Sequence, residues 1–217
     1  LAAIPGVCYR DTDGGITRTP PRPMIKDLDT IPFPDLSDFP VGKYCSPDDG
    51  VHSLFWSVFS SRGCPFDCIF CSSHNVFGRS MRLRTAQNVF SELKALAAEH
   101  GAKTVAFQDD ELLCVKKRFI EFCELMARSG LKLRLSIRTR IDSIDPEVLE
   151  HAKAAGITRI SFGIESFNDE TLKRINKLYT VSDIHERFAQ LSVVQPLPIS
   201  FNIICGFPWE TREHLQS

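Results

Sequence analysis

Three glycines, Gly101, Gly130 and Gly156, each close an apolar helical pattern and are each followed within two or three residues by a β-forming run. Glycine takes the left-handed conformation that ends a helix. Their intervals of 29 and 26 residues are those of a repeated strand and helix unit. The strands fall at Leu54–Ser60, Lys103–Phe107, Leu131–Ile137, Ile157–Gly163 and Ile199–Cys205. Between them, Val89, Leu93 and Leu96 form a helical stripe opened by the cap residue Thr85. A second helix, Val115–Ser129, places Phe119, Phe122, Cys123 and Met126 on one face. Asp145-Pro146-Glu147 supplies an N-cap acid and a proline at the first helical position, opening a helix that ends near Ala155. Parallel strands joined by right-handed helical crossovers follow. The expected fold is α/β, a partial TIM-like (βα) barrel of parallel strands truncated after about five βα units.

Residues 1–53 read differently. They are rich in Pro, Gly and Asp, with Pro20-Pro21-Arg22-Pro23 and Ile31-Pro32-Phe33-Pro34-Asp35 interrupting any regular pattern. An irregular linker over 1–53 followed by a core domain over 54–217 is the expected organisation, with Leu28, Ile31, Phe33 and Leu36 docking the linker. At 217 residues the chain can bury a substantial core. Its net charge of −1 gives no footprint for nucleic acid, and no apolar run reaches the roughly 20 residues of a membrane span. Three of the eight cysteines cluster, which argues against an extracellular disulfide framework and for reduced thiols in the cytoplasm. A first residue Leu1, and a last segment Glu210–Ser217 patterned like a helix cut short, suggest a fragment of a longer protein.

In such a barrel the chemistry sits at the C-terminal strand ends. After the first strand comes Arg62-Gly63-Cys64-Pro65-Phe66-Asp67-Cys68-Ile69-Phe70-Cys71. The later ends carry Gln108-Asp109-Asp110-Glu111, Arg138-Thr139-Arg140-Ile141-Asp142, Gly163-Ile164-Glu165-Ser166 and Gly206-Phe207-Pro208-Trp209-Glu210. The first loop supplies three thiolates, whereas a structural zinc and a conventional cubane cluster each take four protein ligands. Three leaves one iron open. Arg62 is the nearby cation expected to favour the thiolate form, and Phe66, Phe70 and Phe77 can shield a cluster from solvent.

The spacing Cys-x3-Cys-x-aromatic-Cys, with Phe70 as the aromatic, resembles the signature of the radical S-adenosylmethionine (radical SAM) enzymes. The resemblance covers roughly residues 54–217. It implies a [4Fe-4S] cluster on Cys64, Cys68 and Cys71 whose open iron is chelated by S-adenosyl-L-methionine. Reductive cleavage of SAM would then yield a 5′-deoxyadenosyl radical that abstracts hydrogen from a small-molecule substrate, with flavodoxin or ferredoxin as reductant. By the same resemblance Asp109 or Asp110 meets the methionyl ammonium, where the family usually carries Gly-Gly-Glu. Glu165 meets the ribose, Lys177 the carboxylate, and Arg138 lines that side. Asn202, Gly206 and Pro208 bound ribose and adenine beside Phe70.

Residues 4–35 resemble the connector that follows an N-terminal cobalamin-binding domain in one branch of that family, which includes methyltransferases and the anaerobic cyclase of chlorophyll synthesis. Cobalamin is accordingly an expectation about the full-length parent. The lower-ligand pattern Asp-x-His-x-x-Gly is approached only by Asp183-Ile184-His185, which ends in Phe188 and lies in a helical stretch. Two other readings of the cysteines stay open. One is an electron-transfer protein whose cluster is completed by Cys45, and the other a zinc-stabilised binding module with His74 as fourth ligand.

Overall fold

The computed structural model of the chain describes residues 1–43, 55–194 and 197–214. Cys45, His52, Leu54 and the expected boundary between 53 and 54 lie outside them. Five parallel strands, β3 (Phe55–Val58), β6 (Thr104–Phe107), β7 (Arg134–Thr139), β8 (Ile157–Glu165) and β9 (Ile199–Ile203), form one sheet in that spatial order. Each neighbour in space is the next strand of the series, so every connection within the sheet is a crossover to the adjacent parallel strand. The α/β half-barrel expected from the sequence is the fold observed.

The helices that make the crossovers are α2 (Ala86–His100), α3 (Lys116–Ser129), α4 (Pro146–Ala154) and α6 (Val181–Leu191). Their starts follow from cap chemistry: Thr85 accepts from the Asn88 N–H, and Asp145 from the Val148 N–H. Each such cap contributes about 1 kcal/mol. Thr180 and Asp183 form a reciprocal capping box at the head of α6, so Asp183 serves as a cap on that helix.

The sheet is two-faced. Leu135, Ile137, Ile160, Phe162 and Ile164 are buried and join the core formed with Leu93, Phe119, Phe122, Val148 and Ile184 of the helices. On the concave face, Ser136, Arg138, Ser161, Ser200 and Asn202 help to line a cavity of about 410 Å³. Alternation along each strand produces this division. β7 begins at Arg134, three residues later than the apolar run starting at Leu131 suggests. Its pairing with β6 opens at Thr104 opposite Arg134, so the ladder sets the start, and Arg138 and Thr139 stay in register with Ser161 and Phe162 of β8.

Other elements escaped the sequence reading. β1 (Cys8–Arg10) and β2 (Ile16–Arg18) make an antiparallel hairpin inside the expected linker. Its turn is held by Asp11, which accepts from the Gly15 N–H at 2.8 Å and the Thr17 hydroxyl at 3.0 Å. The segment after it is docked through Leu28, whereas Phe33, expected to help dock it, stays exposed. Leu28 is buried, Asp29 accepts from the Thr85 N–H (2.9 Å) and hydroxyl (2.6 Å), and the Arg84 guanidinium lies 5.5 Å from the Phe33 ring centre. Of the helix expected over 210–217, residues 215–217 lie outside the described ones, 212–214 form a turn, and Glu210 turns back to accept from the Gly206 and Phe207 N–H groups. Among the described residues no helix is long and apolar enough to cross a membrane.

Candidate functional site

The cysteine loop leaves the sheet through two short antiparallel strands, β4 (Ser61–Arg62) and β5 (Arg82–Leu83), with α1 (Ser73–Phe77) between them. Two buried acids anchor this end of the barrel. Asp109 accepts from the Ser60 N–H at 3.0 Å, the Ser60 hydroxyl at 2.7 Å and the Ser61 hydroxyl at 2.5 Å, while Arg118 donates to the same Ser60 hydroxyl at 2.9 Å. Burial pushes the Asp109 carboxyl up, and the hydrogen bonds from Ser61 and Ser60 pull it back. Glu111 accepts from the Thr139 hydroxyl (2.5 Å) and the Arg140 N–H (2.9 Å), tying the ends of β6 and β7 together. Asp109, expected against the ammonium of a ligand, is therefore engaged in holding the root of the cysteine loop.

Asp110 faces the other way. Its Oδ1 accepts from the Ser73 hydroxyl at 2.7 Å, and Ser73 Oγ lies 3.3 Å from Cys71 Sγ. Its Oδ2 is buried and has no hydrogen-bond partner among the described residues. A buried carboxylate oxygen left bare is costly unless something pairs with it.

The loop itself rests on the turn that follows β8 and the short helix α5 (Asp169–Arg174). The Ile69 N–H donates to the Ile175 carbonyl at 3.2 Å, the Asn176 amide donates to the Asp67 carbonyl at 2.9 Å, and Cys68 Sγ lies 4.0 Å from the Asn176 carbonyl. Asn176 and Leu178 have φ of 60° and 64°, so Lys177 sits between two left-handed residues. Glu165 at the end of β8 is also left-handed, at 72°. Such conformations are unfavourable for residues with a Cβ and concentrate where function requires them.

This backbone delivers Lys177 Nζ to 3.5 Å from Glu165 Oε1, and to 5.9 Å from the Phe70 ring centre. Burial raises the Glu165 carboxyl, opposed by the charge of Lys177. Gly163 makes room for the pair: a Cβ there would stand 2.7 Å from Glu165 Oε1. The Tyr179 hydroxyl donates to the Gly163 carbonyl at 2.9 Å and fixes the same strand end.

Cys64, Cys68 and Cys71 are all free thiols. Burial pushes Cys64 up to about 11, with the neighbouring Glu111, Cys68 and Asp110 adding to the shift. Burial also raises Cys68, but Lys177 and Arg140 oppose it. Arg62, expected to be the cation of this loop, instead lies 5.9 Å from the Phe77 ring centre. The cations acting on Cys68 come from the third and fourth strand ends, a placement that sequence neighbourhood could not reveal.

Cys68, Cys71, Phe70, Asp110, Glu165 and Lys177 thus gather around one end of the sheet. Gly206 and Pro208 flank Phe207, whose ring centre is 6.3 Å from that of Phe70 and 5.1 Å from Trp209, stacked parallel to it. Arg138 and Asn202 line the concave cavity, and Arg138 donates to the Gln108 side chain at 3.1 Å. Arg140, in the third strand-end motif, has a place that no local sequence signal marks. The structure puts its guanidinium 3.9 Å from both Cys68 Sγ and the Phe66 ring centre.

The profile of the Radical SAM superfamily matches residues 58–217. An uncharacterized methyltransferase of Pyrococcus horikoshii is 34% identical over the whole chain, which covers 46% of that protein. The anaerobic magnesium-protoporphyrin IX monomethyl ester cyclase of Rubrivivax gelatinosus is 31% identical over 98% of the chain and 38% of its own length. The chain thus spans less than half of either relative. In fold it resembles the cobalamin-dependent S-adenosylmethionine radical enzyme OxsB with a TM-score of 0.81 at 20% identity, covering all of this chain and 32% of OxsB. The radical S-adenosylmethionine methyltransferase TsrM of Kitasatospora setae follows at 0.76 and 19%, covering all of this chain and 43% of TsrM. With a superfamily profile matching from the first barrel strand onward, the chain belongs to the radical SAM superfamily.

Proposed function

We propose that this chain is the core of a radical SAM enzyme in which Cys64, Cys68 and Cys71 hold a [4Fe-4S] cluster and the surrounding strand ends hold SAM. The reduced cluster, when bound, supplies the electron that cleaves SAM to methionine and a 5′-deoxyadenosyl radical for hydrogen abstraction. The donors suit that group. Three free thiols share one loop, and among the described residues they do not converge with any other His, Cys, Asp or Glu on a point that would hold a single metal ion. A closed zinc site needs such convergence, whereas in a cubane each thiolate binds its own iron, and three of them leave the fourth iron open.

The observation that carries the reading is the bare, buried Oδ2 of Asp110 beside Cys71. A methionyl ammonium there would satisfy it. Lys177, beside Cys68, would pair with the methionyl carboxylate, since a zwitterion needs an anion at one end and a cation at the other. Glu165 would then face the ribose, and Phe70 with Phe207 would bound the adenine between Gly206 and Pro208. Arg138 and Asn202, on the concave face, would border the space left for a small-molecule substrate. Asp109 and Glu111 position the loop without touching the ligand.

In the whole protein the hydrogen abstraction would end in methyl transfer or cyclisation, the two activities named among the relatives, with cobalamin held by the parent and electrons arriving from a flavodoxin or ferredoxin. The test is anaerobic reconstitution followed by electron paramagnetic resonance of the reduced protein with and without SAM. The reading expects a cluster spectrum that changes on adding SAM, and loss of the cluster in Cys68→Ala with the fold retained. A spectrum indifferent to SAM would point to an electron carrier, and stoichiometric zinc without iron to a binding module.

A further inference from the structure

We infer that Arg140 sets the reduction potential of the cluster held by the cysteine loop, acting on it through Cys68; the inference rests on the function proposed above. Arg140 is 5% exposed, and its guanidinium is fixed on every side. Nη1 lies 3.9 Å from Cys68 Sγ. Nε and Nη2 donate to the two oxygens of Asp142 at 2.9 and 2.8 Å, and Nη2 also donates to the Lys177 carbonyl. The planar group is 3.9 Å from the Phe66 ring centre and 5.1 Å from that of Tyr179.

A purely architectural role does not account for a charge at this place. The ion pair with Asp142 is local, two residues along the chain, and ties no distant segments together. The contacts that reach across the fold go to a cysteine sulfur, to the backbone of Lys177 and to the faces of the Phe66 and Tyr179 rings, and of these the sulfur is the one that a cluster would share. Potentials of thiolate-bound clusters depend on net charge, on hydrogen bonds to the sulfurs and on solvent exposure. One-electron reduction adds a negative charge to the cluster, and a fixed N–H donor carrying positive charge beside a ligand sulfur favours the more negative state. Arg140 therefore raises the potential, bringing the cluster within reach of a low-potential one-electron donor. Asp142 partly cancels that field and acts in the opposite sense. By holding the Lys177 carbonyl between two left-handed residues, the same guanidinium also keeps the lysine aligned with the cluster loop.

The experiment is a dithionite titration of the anaerobically reconstituted protein, monitored by electron paramagnetic resonance, with iron and sulfide assayed in each sample. Arg140→Gln should move the midpoint to more negative potential and Asp142→Asn to less negative potential, with Arg140→Lys between wild type and Arg140→Gln. A role confined to folding would not give shifts of opposite sign at full cluster content. An Arg140→Gln midpoint equal to wild type with the cluster intact overturns the inference. Should Arg140→Gln fail to retain iron, Asp142→Asn decides, and a midpoint that stays put or moves negative overturns it. A wild-type protein that binds no [4Fe-4S] cluster would instead bring down the proposed function itself.

Discussion

Lys177 Nζ stands 3.5 Å from Glu165 Oε1, with the two side chains 4% and 10% exposed. Each is the other's counter-charge in the ligand-free fold, and each is presented by a strained backbone. Removing one partner leaves a buried charge without compensation, which costs about 3–5 kcal/mol. Lys177→Met and Glu165→Gln should each lose stability on that scale. The double substitution should lose less than the sum of the two, because it strands no charge. Urea denaturation of the four proteins, free of cluster, measures the coupling, and strictly additive losses would show that the two side chains stand independently.

Adjacent acids at the end of β6 should behave oppositely. Asp109 accepts from three groups of Ser60 and Ser61, so Asp109→Asn, with one acceptor oxygen in place of two, should lower stability by about 1–3 kcal/mol. Asp110 has a carboxylate oxygen that the fold does not use. Asp110→Asn should leave the melting temperature nearly unchanged and weaken SAM binding to the cluster-loaded protein roughly tenfold or more, the worth of one charge-assisted hydrogen bond. Calorimetry for both properties separates the two residues, and a stable Asp109→Asn protein with impaired SAM binding would reverse the assignment.

At the head of α6, hydrogen bonds from the Thr180 hydroxyl and N–H hold Asp183 below its ordinary value. An acid with a depressed native pKa binds fewer protons folded than unfolded within that window. Its contribution is present above the unfolded value, about 3.9, and is lost as pH falls through the depressed native value. Asp183→Ala should therefore melt below wild type at neutral pH and approach it on acidification beneath that range. Thermal melts of both proteins across the range provide the check. A gap that persists in strong acid would mean that the cap works through geometry rather than charge.

Much of this was legible in the chain because strand and helix periods and caps are local signals. Thr85, Asp145 and the three helix-ending glycines marked the crossovers, and the cysteine spacing marked the loop. The β1–β2 hairpin was not legible, since strands of three residues among prolines leave no period to detect. Neither was the division of labour between Asp109 and Asp110, because which of two neighbouring acids turns inward depends on the serines of a strand about 50 residues earlier. Arg62 looked like the cation for the cysteines by proximity in sequence. Arg140 and Lys177 supply that charge because parallel strands bring their C-terminal ends together, and contacts of that range carry no mark in local composition.

Gly63 opens the cysteine loop with φ of 95°, and a Cβ on it would lie 2.6 Å from the Ser80 carbonyl oxygen and 3.1 Å from that of Gly78. Both obstacles are backbone, so neither can swing aside as a side chain would. Gly78, at φ of 76°, has nothing within 4 Å of the corresponding position. Substituting alanine at Gly78 should therefore cost only its backbone conformation, φ 76° with ψ 175°, a region essentially reserved for glycine and worth about 1–3 kcal/mol. Gly63→Ala should cost more and push β4 away from β5, carrying Cys64 with it. Iron content after reconstitution should fall in Gly63→Ala and hold in Gly78→Ala, while circular dichroism shows the parallel sheet intact in both. Equal iron content in the two would mean that the loop tolerates displacement at its root, and that the thiols are positioned by their contacts with Ile175 and Asn176 instead.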